Sequence, residues 1–205
     1  MTDETPRRKR LTRQQSKEQT RQALIEAAAE VFGAHGFHGA SIDLVAETAG
    51  YTKGAVYTHF ESKEDLYLAL LDDHLREPPS EWTRALESGV PVSAVAEELE
   101  RELPQTLEAT RSWAMLSLEF FVHALRNEAV AARLAEQIRS ARQEYERSMR
   151  LRSEALGKAL PLPPEQLGVA LLAFENGLSI FGLLEPQTLK NGAYSAVLQR
   201  LIDPE

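Results

Sequence analysis

The chain has 205 residues, of which 43% are hydrophobic and 26% charged, so it is long enough for one or two domains with a sizeable core. It contains no cysteine, which excludes disulfides, thiol catalysis and cysteine-ligated metal clusters. The net charge of −8 combines +4 in residues 1–21 with −12 in the remainder, and this asymmetry predicts contact with a polyanion at the N-terminal end.

The N-terminal residues, 1–15, are predicted to form a disordered basic arm. Its run Arg7–Arg10 either stays solvated or reaches into a groove of DNA, and the sequence leaves both possibilities open. The arm has no apolar segment of the signal-peptide kind, so we expect a cytoplasmic location. The first helix is predicted to begin near Ser16, with Gln19 as its capping-box partner, and to end over Gly33 to Gly36.

Residues 38–66 carry the cap pattern of two short helices, a tight turn and the start of a further helix. Ser41 is a candidate N-cap of the first helix, which ends at Gly50, where a left-handed backbone is favoured. Thr52 can cap the second helix after a three-residue turn, as in a helix-turn-helix. Ser62 can cap the next helix, where Asp65 is suited to a capping box.

The second short helix has an unusual composition. Residues 53–59 read Lys-Gly-Ala-Val-Tyr-Thr-His, with few large apolar side chains and an internal glycine that costs about 1 kcal/mol relative to alanine. Either its outer face is simply solvated, or the helix presents hydrogen-bond donors to the phosphates and base edges of a nucleic acid.

The segment from Gly36 to Leu66 resembles the DNA-binding domain of the TetR family of bacterial transcriptional repressors. The resemblance rests on Gly36-Phe37, Ser41-Ile42, Val45-Ala46, Ala49-Gly50, Lys53-Gly54-Ala55-Val56-Tyr57, His59-Phe60 and Ser62-Lys63-Glu64-Asp65-Leu66. It implies a helix-turn-helix domain over residues 16–62 that binds double-stranded operator DNA. The residues implied as DNA contacts are Ser41, Thr52, Lys53, Gly54, Tyr57, Thr58, His59 and Lys63. By the same resemblance Lys53 is the candidate base contact, to a guanine, and Ser41, Thr52 and Lys63 are expected on phosphates.

A larger helical domain is expected over residues 63–205, and the chain is predicted to be all-α with about nine helices. The helix after Ser62 should run to about Arg76, where Pro78-Pro79 ends it, and further helices are predicted at 92–110, 111–126, 128–160, 165–184 and 191–202. The segment 165–184 is apolar enough to suggest a membrane span. The polar pair Glu175-Asn176 at its centre argues against one.

The last two predicted helices present more apolar face than one subunit covers. Small residues at Ala170, Ala173 and Gly177 would let helices approach closely. We therefore expect a homodimer joined by a four-helix bundle, with Leu198 and Leu201 in the interface.

Large, partly polar residues recur on three helices of the second domain, and they are either plain core or the lining of a mostly apolar cavity. The resemblance implies a cavity for a small effector, and the Trp and Phe content favours an apolar or aromatic molecule. The predicted lining residues are Trp113, Phe120, His123, Tyr145, Met149, Phe174 and Asn176. The effector is expected to act on the helix after Ser62 through Leu71, His74 or Leu75.

Two functions remain: a homodimeric repressor released from its operator by a small ligand, or a DNA-binding dimer whose second domain serves only dimerisation or protein contacts. An enzyme would depend on Glu119 and His123, four residues apart on one helix, and no catalytic or phosphate-loop motif accompanies them. His35 and His38 have no third ligand nearby in sequence. We therefore predict no enzyme activity, no cofactor and no metal.

Overall fold

The computed structural model describes residues 12–75, 81–109, 111–185, 187 and 192–203. Within these residues the chain forms ten helices and no strand, which confirms the all-α prediction; the short helix Glu81–Glu87 was not predicted. The helices are α1 Arg13–Gly39, α2 Ile42–Ala49, α3 Lys53–His59, α4 Lys63–Leu75, α5 Glu81–Glu87, α6 Val92–Ala109, α7 Arg111–Leu125, α8 Glu128–Leu156, α9 Pro164–Leu184 and α10 Ala193–Ile202. The chain divides after Leu70, within α4, into two compact units.

The first helix starts earlier than predicted. Thr12 is its N-cap: the Thr12 hydroxyl accepts the Gln15 backbone N–H, and the Gln15 side chain accepts the Thr12 N–H. The prediction of Ser16 as the cap is therefore wrong, because the same capping-box spacing occurs one turn earlier. Residues 12–15 of the predicted disordered arm belong to this cap and helix, while Arg7–Arg10 lie outside the described residues. At the other end, Gly36 takes a left-handed φ of 69° and interrupts the helix, which resumes through Gly39.

The predicted caps of the helix-turn-helix are confirmed. The hydroxyls of Ser41 and Thr52 each accept a backbone N–H at 3.2 Å, from Leu44 and Ala55. Gly50 takes the left-handed conformation, φ 71° and ψ 27°, that a side chain at this position would strain.

The start of α4 is also capped as predicted, with one difference. The Ser62 hydroxyl accepts the Asp65 N–H at 3.1 Å. The Asp65 carboxylate accepts the N–H of Glu61 at 3.0 Å, one residue before the partner that a capping box uses. The predicted end of α4 at Pro78-Pro79 lies outside the described residues.

The core of the first unit is built from α1, α2 and α4, with little help from α3. Phe32, Phe37 and Tyr67 are buried and meet with ring centroids about 6 Å apart, mostly edge to face, a geometry worth about 0.5–1.5 kcal/mol per pair beyond the area buried. In contrast, Val56 is the one buried residue of α3. The exposed residues of α3 are therefore available to contact another molecule.

The core of the second unit joins α5, α6, α8, α9 and α10. Its buried residues are Leu86, Val92, Val95, Ala96, Met149, Leu167, Leu171, Leu198 and Ile202. At the crossing of α8 and α9, a Cβ on Gly168 would lie 2.9 Å from the Arg142 carbonyl oxygen, so close packing here requires glycine. The buried guanidinium of Arg152 donates to the carbonyls of Leu86 and Val90 at 3.1 and 2.8 Å.

The two final helices differ in what covers them. Leu198 of α10 is 2% exposed and belongs to the core of its own subunit, so its predicted place in a dimer interface is wrong. Helix α9 instead leaves Val169, Phe181 and Leu184 exposed. It is long and apolar enough to cross a membrane by length and composition, which for a single helix is weak evidence.

Candidate functional site

Helix α3 presents an outward face made of four of the predicted DNA contacts. Lys53, Gly54, Tyr57 and Thr58 are exposed and recur at helical spacing, and Tyr57 is 50% exposed despite its aromatic ring. The Thr58 hydroxyl donates to the Gly54 carbonyl within the helix at 2.9 Å. The structure thus brings these residues together on one surface.

Gly54 is not required by the packing of the domain itself. A Cβ at this position would meet only the Thr52 hydroxyl oxygen, at 3.8 Å, which is an ordinary contact. Because glycine has no side chain, nothing protrudes from α3 at this position. Such a surface is needed where a nucleic-acid backbone approaches closely.

Lys53 is engaged by a neighbouring helix. Its ammonium lies 2.8 Å from the Asp43 carboxylate at the start of α2, and both side chains are more than half exposed. This hydrogen bond and the negative charge of Asp43 raise the pKa of Lys53 above its ordinary value. Lys53 therefore carries a full positive charge at the front of α3.

His59, at the end of α3, lies among basic residues of α1. Partial burial lowers the pKa of His59 below its ordinary value, and the positive charges of Lys17 and Arg21 lower it further. Both effects favour the neutral form of the His59 imidazole. The Arg21 guanidinium also lies over the Phe60 ring, 5.5 Å from its centroid.

The basic residues of α1 were not assigned to the site from the sequence. Arg13, Lys17 and Arg21 follow one another at intervals of four, which places them along one face of a helix. This spacing is a usable signal for a phosphate-binding stripe. From the sequence, these charges were assigned only to the basic N-terminal end.

The residues expected on phosphates already have partners within the domain. Ser41 and Thr52 cap α2 and α3 through their hydroxyls. The Lys63 ammonium donates to the Ala40 carbonyl at 3.1 Å and lies 4.7 Å from the centroid of the Phe37 ring. Their predicted phosphate contacts stay predictions, and Lys63 in addition ties α4 to the end of α1.

Of the residues predicted to line an effector cavity, three belong to the core of the second unit or pack against it. Met149 is buried in the core of the second unit, and Tyr145 and Phe174 pack against that core. Phe120 is buried on α7 with its ring 6.0 Å from that of His123. Asn176 is not among them: it is exposed, and its side chain donates to the Leu172 carbonyl of its own helix at 2.8 Å.

Trp113 contacts the last turn of α4. Its ring lies 4.3 Å from that of His74, centroid to centroid. Trp113, a predicted contact of the effector, thus touches His74, one of the three residues through which the effector is expected to act on α4. The side chain of another, Leu75, lies outside the described residues.

Glu175 is a polar group of the second unit whose role was missed from the sequence. The hydroxyl of Tyr145 on α8 donates to its carboxylate. Burial raises the pKa of Glu175 to about 7, although the hydrogen bond from Tyr145 acts in the opposite direction. An acid at the centre of an apolar helix was the available signal, and it served only as an argument against a membrane span.

The family comparisons agree with both units. Residues 24–70 match the model of bacterial regulatory proteins of the tetR family. Residues 92–204, more than half of the chain, match the C-terminal model of BetI-type transcriptional repressors. The two matches together account for the helix-turn-helix and for most of the second unit.

Individual relatives and a solved structure point the same way. The activator FasR of Mycolicibacterium smegmatis is 44% identical over 59 residues, 29% of this chain and 27% of FasR. The regulator AcrR of Shigella flexneri is 32% identical over 114 residues, 54% of this chain and 52% of AcrR, so the chain spans about a quarter to a half of these relatives. The crystal structure of the multidrug binding protein EbrR complexed with proflavin superimposes with a TM-score of 0.59 at 26% identity, covering 89% of this chain and 99% of EbrR. The chain therefore belongs to the TetR family of bacterial transcriptional regulators, with a DNA-binding helix-turn-helix at α2 and α3.

Proposed function

We propose that the protein is a homodimeric repressor that releases its operator when a small, apolar or aromatic ligand binds its second unit. The observation that carries the DNA-binding role is the outward face of α3, where exposed donors surround a glycine that the fold does not need. A role in repression, as opposed to activation, is supported by the match of residues 92–204 to BetI-type repressors. FasR, which matches this chain over 59 residues, is called an activator, so likeness over a part of this length does not decide between repression and activation.

On DNA, α3 would enter the major groove as a recognition helix. Lys53 and Tyr57 would reach base edges, and Gly54 would allow close approach of the backbone. Lys17 and Arg21, which lie beside His59, would neutralise flanking phosphates. Operator affinity should therefore fall steeply with salt.

Dimerisation would bury the outward face of α9. Val169, Phe181 and Leu184 are 52%, 62% and 78% exposed, an unusual apolar content for a solvated helix. Ala173 and Gly177 on the same helix would let a partner's α9 approach closely, since a Cβ on Gly177 would meet nothing within 4 Å. Two-fold pairing of this kind would present two α3 helices to successive major grooves of a pseudo-palindromic operator.

Ligand response is supported by the composition of the α8–α9 region. Tyr145 and Phe174 offer aromatic surface, and Glu175 adds one polar group, which suits a mostly apolar ligand with a polar substituent. The likeness to EbrR, whose structure holds proflavin, also favours a small-molecule effector.

The effect of ligand binding in the second unit would be transmitted through α4. The contact between His74 and Trp113 joins the last turn of this helix to α7, which carries three of the predicted ligand residues. A ligand that shifts α7 would thereby shift α4, and α4 is continuous with the first unit in the chain.

The test is a pair of titrations. A duplex is first selected by the purified protein from a random pool, and a thermal-shift screen of small aromatic compounds identifies a ligand that stabilises the folded protein. Affinity for the selected duplex is then measured by fluorescence anisotropy with and without that ligand. Weaker binding with ligand supports the proposal; equal affinity refutes ligand release and leaves a DNA-binding dimer without an effector. Failure to select any duplex would refute the operator-binding role.

The proposed role also implies a location: a bacterial regulator that acts on the chromosome would work in the cytoplasm.

A further inference from the structure

The ion pair between Asp43 and Lys53 joins the two helices of the helix-turn-helix on their outer side. Its members lie ten positions apart in sequence, yet the Lys53 ammonium lies 2.8 Å from the Asp43 carboxylate. The two side chains are 52% and 66% exposed. An ion pair as exposed as this contributes little to folding stability, so stability does not explain its position at the front of the recognition helix.

The pair limits what the Lys53 cation can bind. A free lysine is a compact charge on a flexible stem and attaches to any phosphate within reach. With Asp43 as its partner, Lys53 is held in one place, and the adjacent carboxylate repels phosphate oxygens. Guanine presents neutral acceptors in the major groove, and cytosine presents an amino donor that a carboxylate can accept. The Lys53–Asp43 pair therefore weakens binding to phosphates more than it weakens binding to the edge of a G·C base pair.

We propose that Asp43 is a specificity-determining residue, whose carboxylate withholds Lys53 from non-specific phosphates and directs it to a base edge. The inference rests on the proposed operator binding through α3. It adds a residue of α2 that makes no required contact with DNA of its own and acts through Lys53.

The central variant is Asp43→Asn, which keeps the shape of the side chain and removes its charge. Two duplexes are used with the full-length protein: one selected by the wild type from a random pool, and one with the same composition in shuffled order. We expect affinity for the shuffled duplex to rise about tenfold and affinity for the selected duplex to rise much less, so that the ratio between them falls. The slope of log affinity against log salt on the shuffled duplex should steepen by about 0.9, the value for one additional phosphate contact.

The matched control is Glu47→Gln. Glu47 is an exposed acid on the same helix, one turn beyond Asp43, so the change in net charge and in overall attraction to DNA is the same. We expect Glu47→Gln to leave the ratio between the two duplexes within about twofold of the wild type. Equal effects of the two substitutions would show that Asp43 acts only as a general negative charge and would overturn the inference.

A double-mutant cycle with Lys53→Ala tests whether Asp43 acts through Lys53. In the Lys53→Ala background, Asp43→Asn should no longer change the ratio between the duplexes. If Asp43→Asn changes the ratio as much in that background as in the wild type, the inference is overturned. It is also overturned if the single Asp43→Asn variant binds the shuffled duplex no more tightly than the wild type does. Circular dichroism melts confirm that each variant is folded. If the wild type selects no duplex, it is the proposed operator binding that fails, before Asp43 is tested.

Discussion

At the scale of single residues, Gly54 separates what α3 needs for folding from what it needs for binding. Because a Cβ there would make only an ordinary contact, Gly54→Ala should stabilise the helix by about 1 kcal/mol and raise the melting temperature by about 2–4 °C. The added methyl group should nevertheless weaken binding to a selected duplex by about tenfold or more, since in the proposed complex it would stand between α3 and the DNA.

The control for this prediction is Gly33→Ala in α1, where a Cβ would meet nothing within 4 Å. It should give a similar gain in stability and leave DNA affinity unchanged. Thermal melts and fluorescence anisotropy measure the two properties. If the Gly54 and Gly33 variants bind the duplex equally well, α3 does not approach DNA through Gly54.

The raised pKa of Glu175 predicts how the stability of the protein depends on pH. Its pKa of about 7 in the native state lies above its ordinary value of 4.5, so between these pH values the native protein holds a proton that the unfolded chain releases. The contribution of Glu175 to the free energy of unfolding therefore falls as pH rises from 4.5 through 7, by a total on the order of 3 kcal/mol.

Glu175→Gln should remove this dependence, because glutamine does not titrate. The variant should be more stable than the wild type at pH 8 and close to it at pH 5, as measured by urea denaturation at each pH. Tyr145→Phe is a useful companion, since losing its hydrogen bond should raise the pKa of Glu175 further. Identical pH profiles for the wild type and Glu175→Gln would contradict the assignment.

At the scale of helices, α9 and α7 allow a matched test of the dimer. Val169 on α9 and Val122 on α7 have similar exposure, 52% and 48%, so a glutamate should be tolerated at either position in an isolated subunit. If α9 forms the interface, Val169→Glu buries a charge there and should produce a monomer with at least a hundredfold loss of affinity for a palindromic duplex.

Val122→Glu should remain dimeric and bind DNA as the wild type does. Light scattering coupled to size-exclusion chromatography gives the oligomeric state, and anisotropy gives the affinity. A dimeric Val169→Glu protein would eliminate α9 as the interface. Leu198→Glu is not informative, because Leu198 is buried in its own subunit and the charge would unfold the domain.

At the scale of the whole molecule, the proposed switch is a coupling between ligand and DNA. Each must weaken the other's binding by the same factor, about 5- to 150-fold for a coupling of 1–3 kcal/mol. His74→Ala removes the ring that contacts Trp113 and should uncouple the two events. The variant should still show a ligand-induced thermal shift and still bind the selected duplex, but the ligand should no longer release it.

His35→Ala, at an exposed histidine of α1, serves as the control and should retain ligand release. Thermal shift and duplex titration are measured on the same preparations. Full ligand release from His74→Ala would show that the signal does not pass through the contact between α4 and α7.

The sequence by itself determined the features whose partners lie within a few residues along the chain. Ser41, Gly50 and Thr52 were correctly predicted as caps because a cap bonds to backbone groups only three or four residues away along the chain, so its spacing can be read from the sequence. The same holds for the outward face of α3, which follows from helical periodicity. The start of α1 was placed one turn too late because two capping-box patterns follow one another and local spacing does not choose between them.

Only the tertiary structure decided which surface each helix meets. The amphipathic pattern of α10 shows that Leu198 is covered but not by which chain, and the fold places it in the core of its own subunit. The contacts of Asp43 with Lys53, and of Tyr145 with Glu175, join residues 10 and 30 positions apart. Such pairs depend on how helices pack against one another. Because the residue spacing within one helix does not fix the rotation or depth of its neighbour, no local spacing in the sequence predicts them.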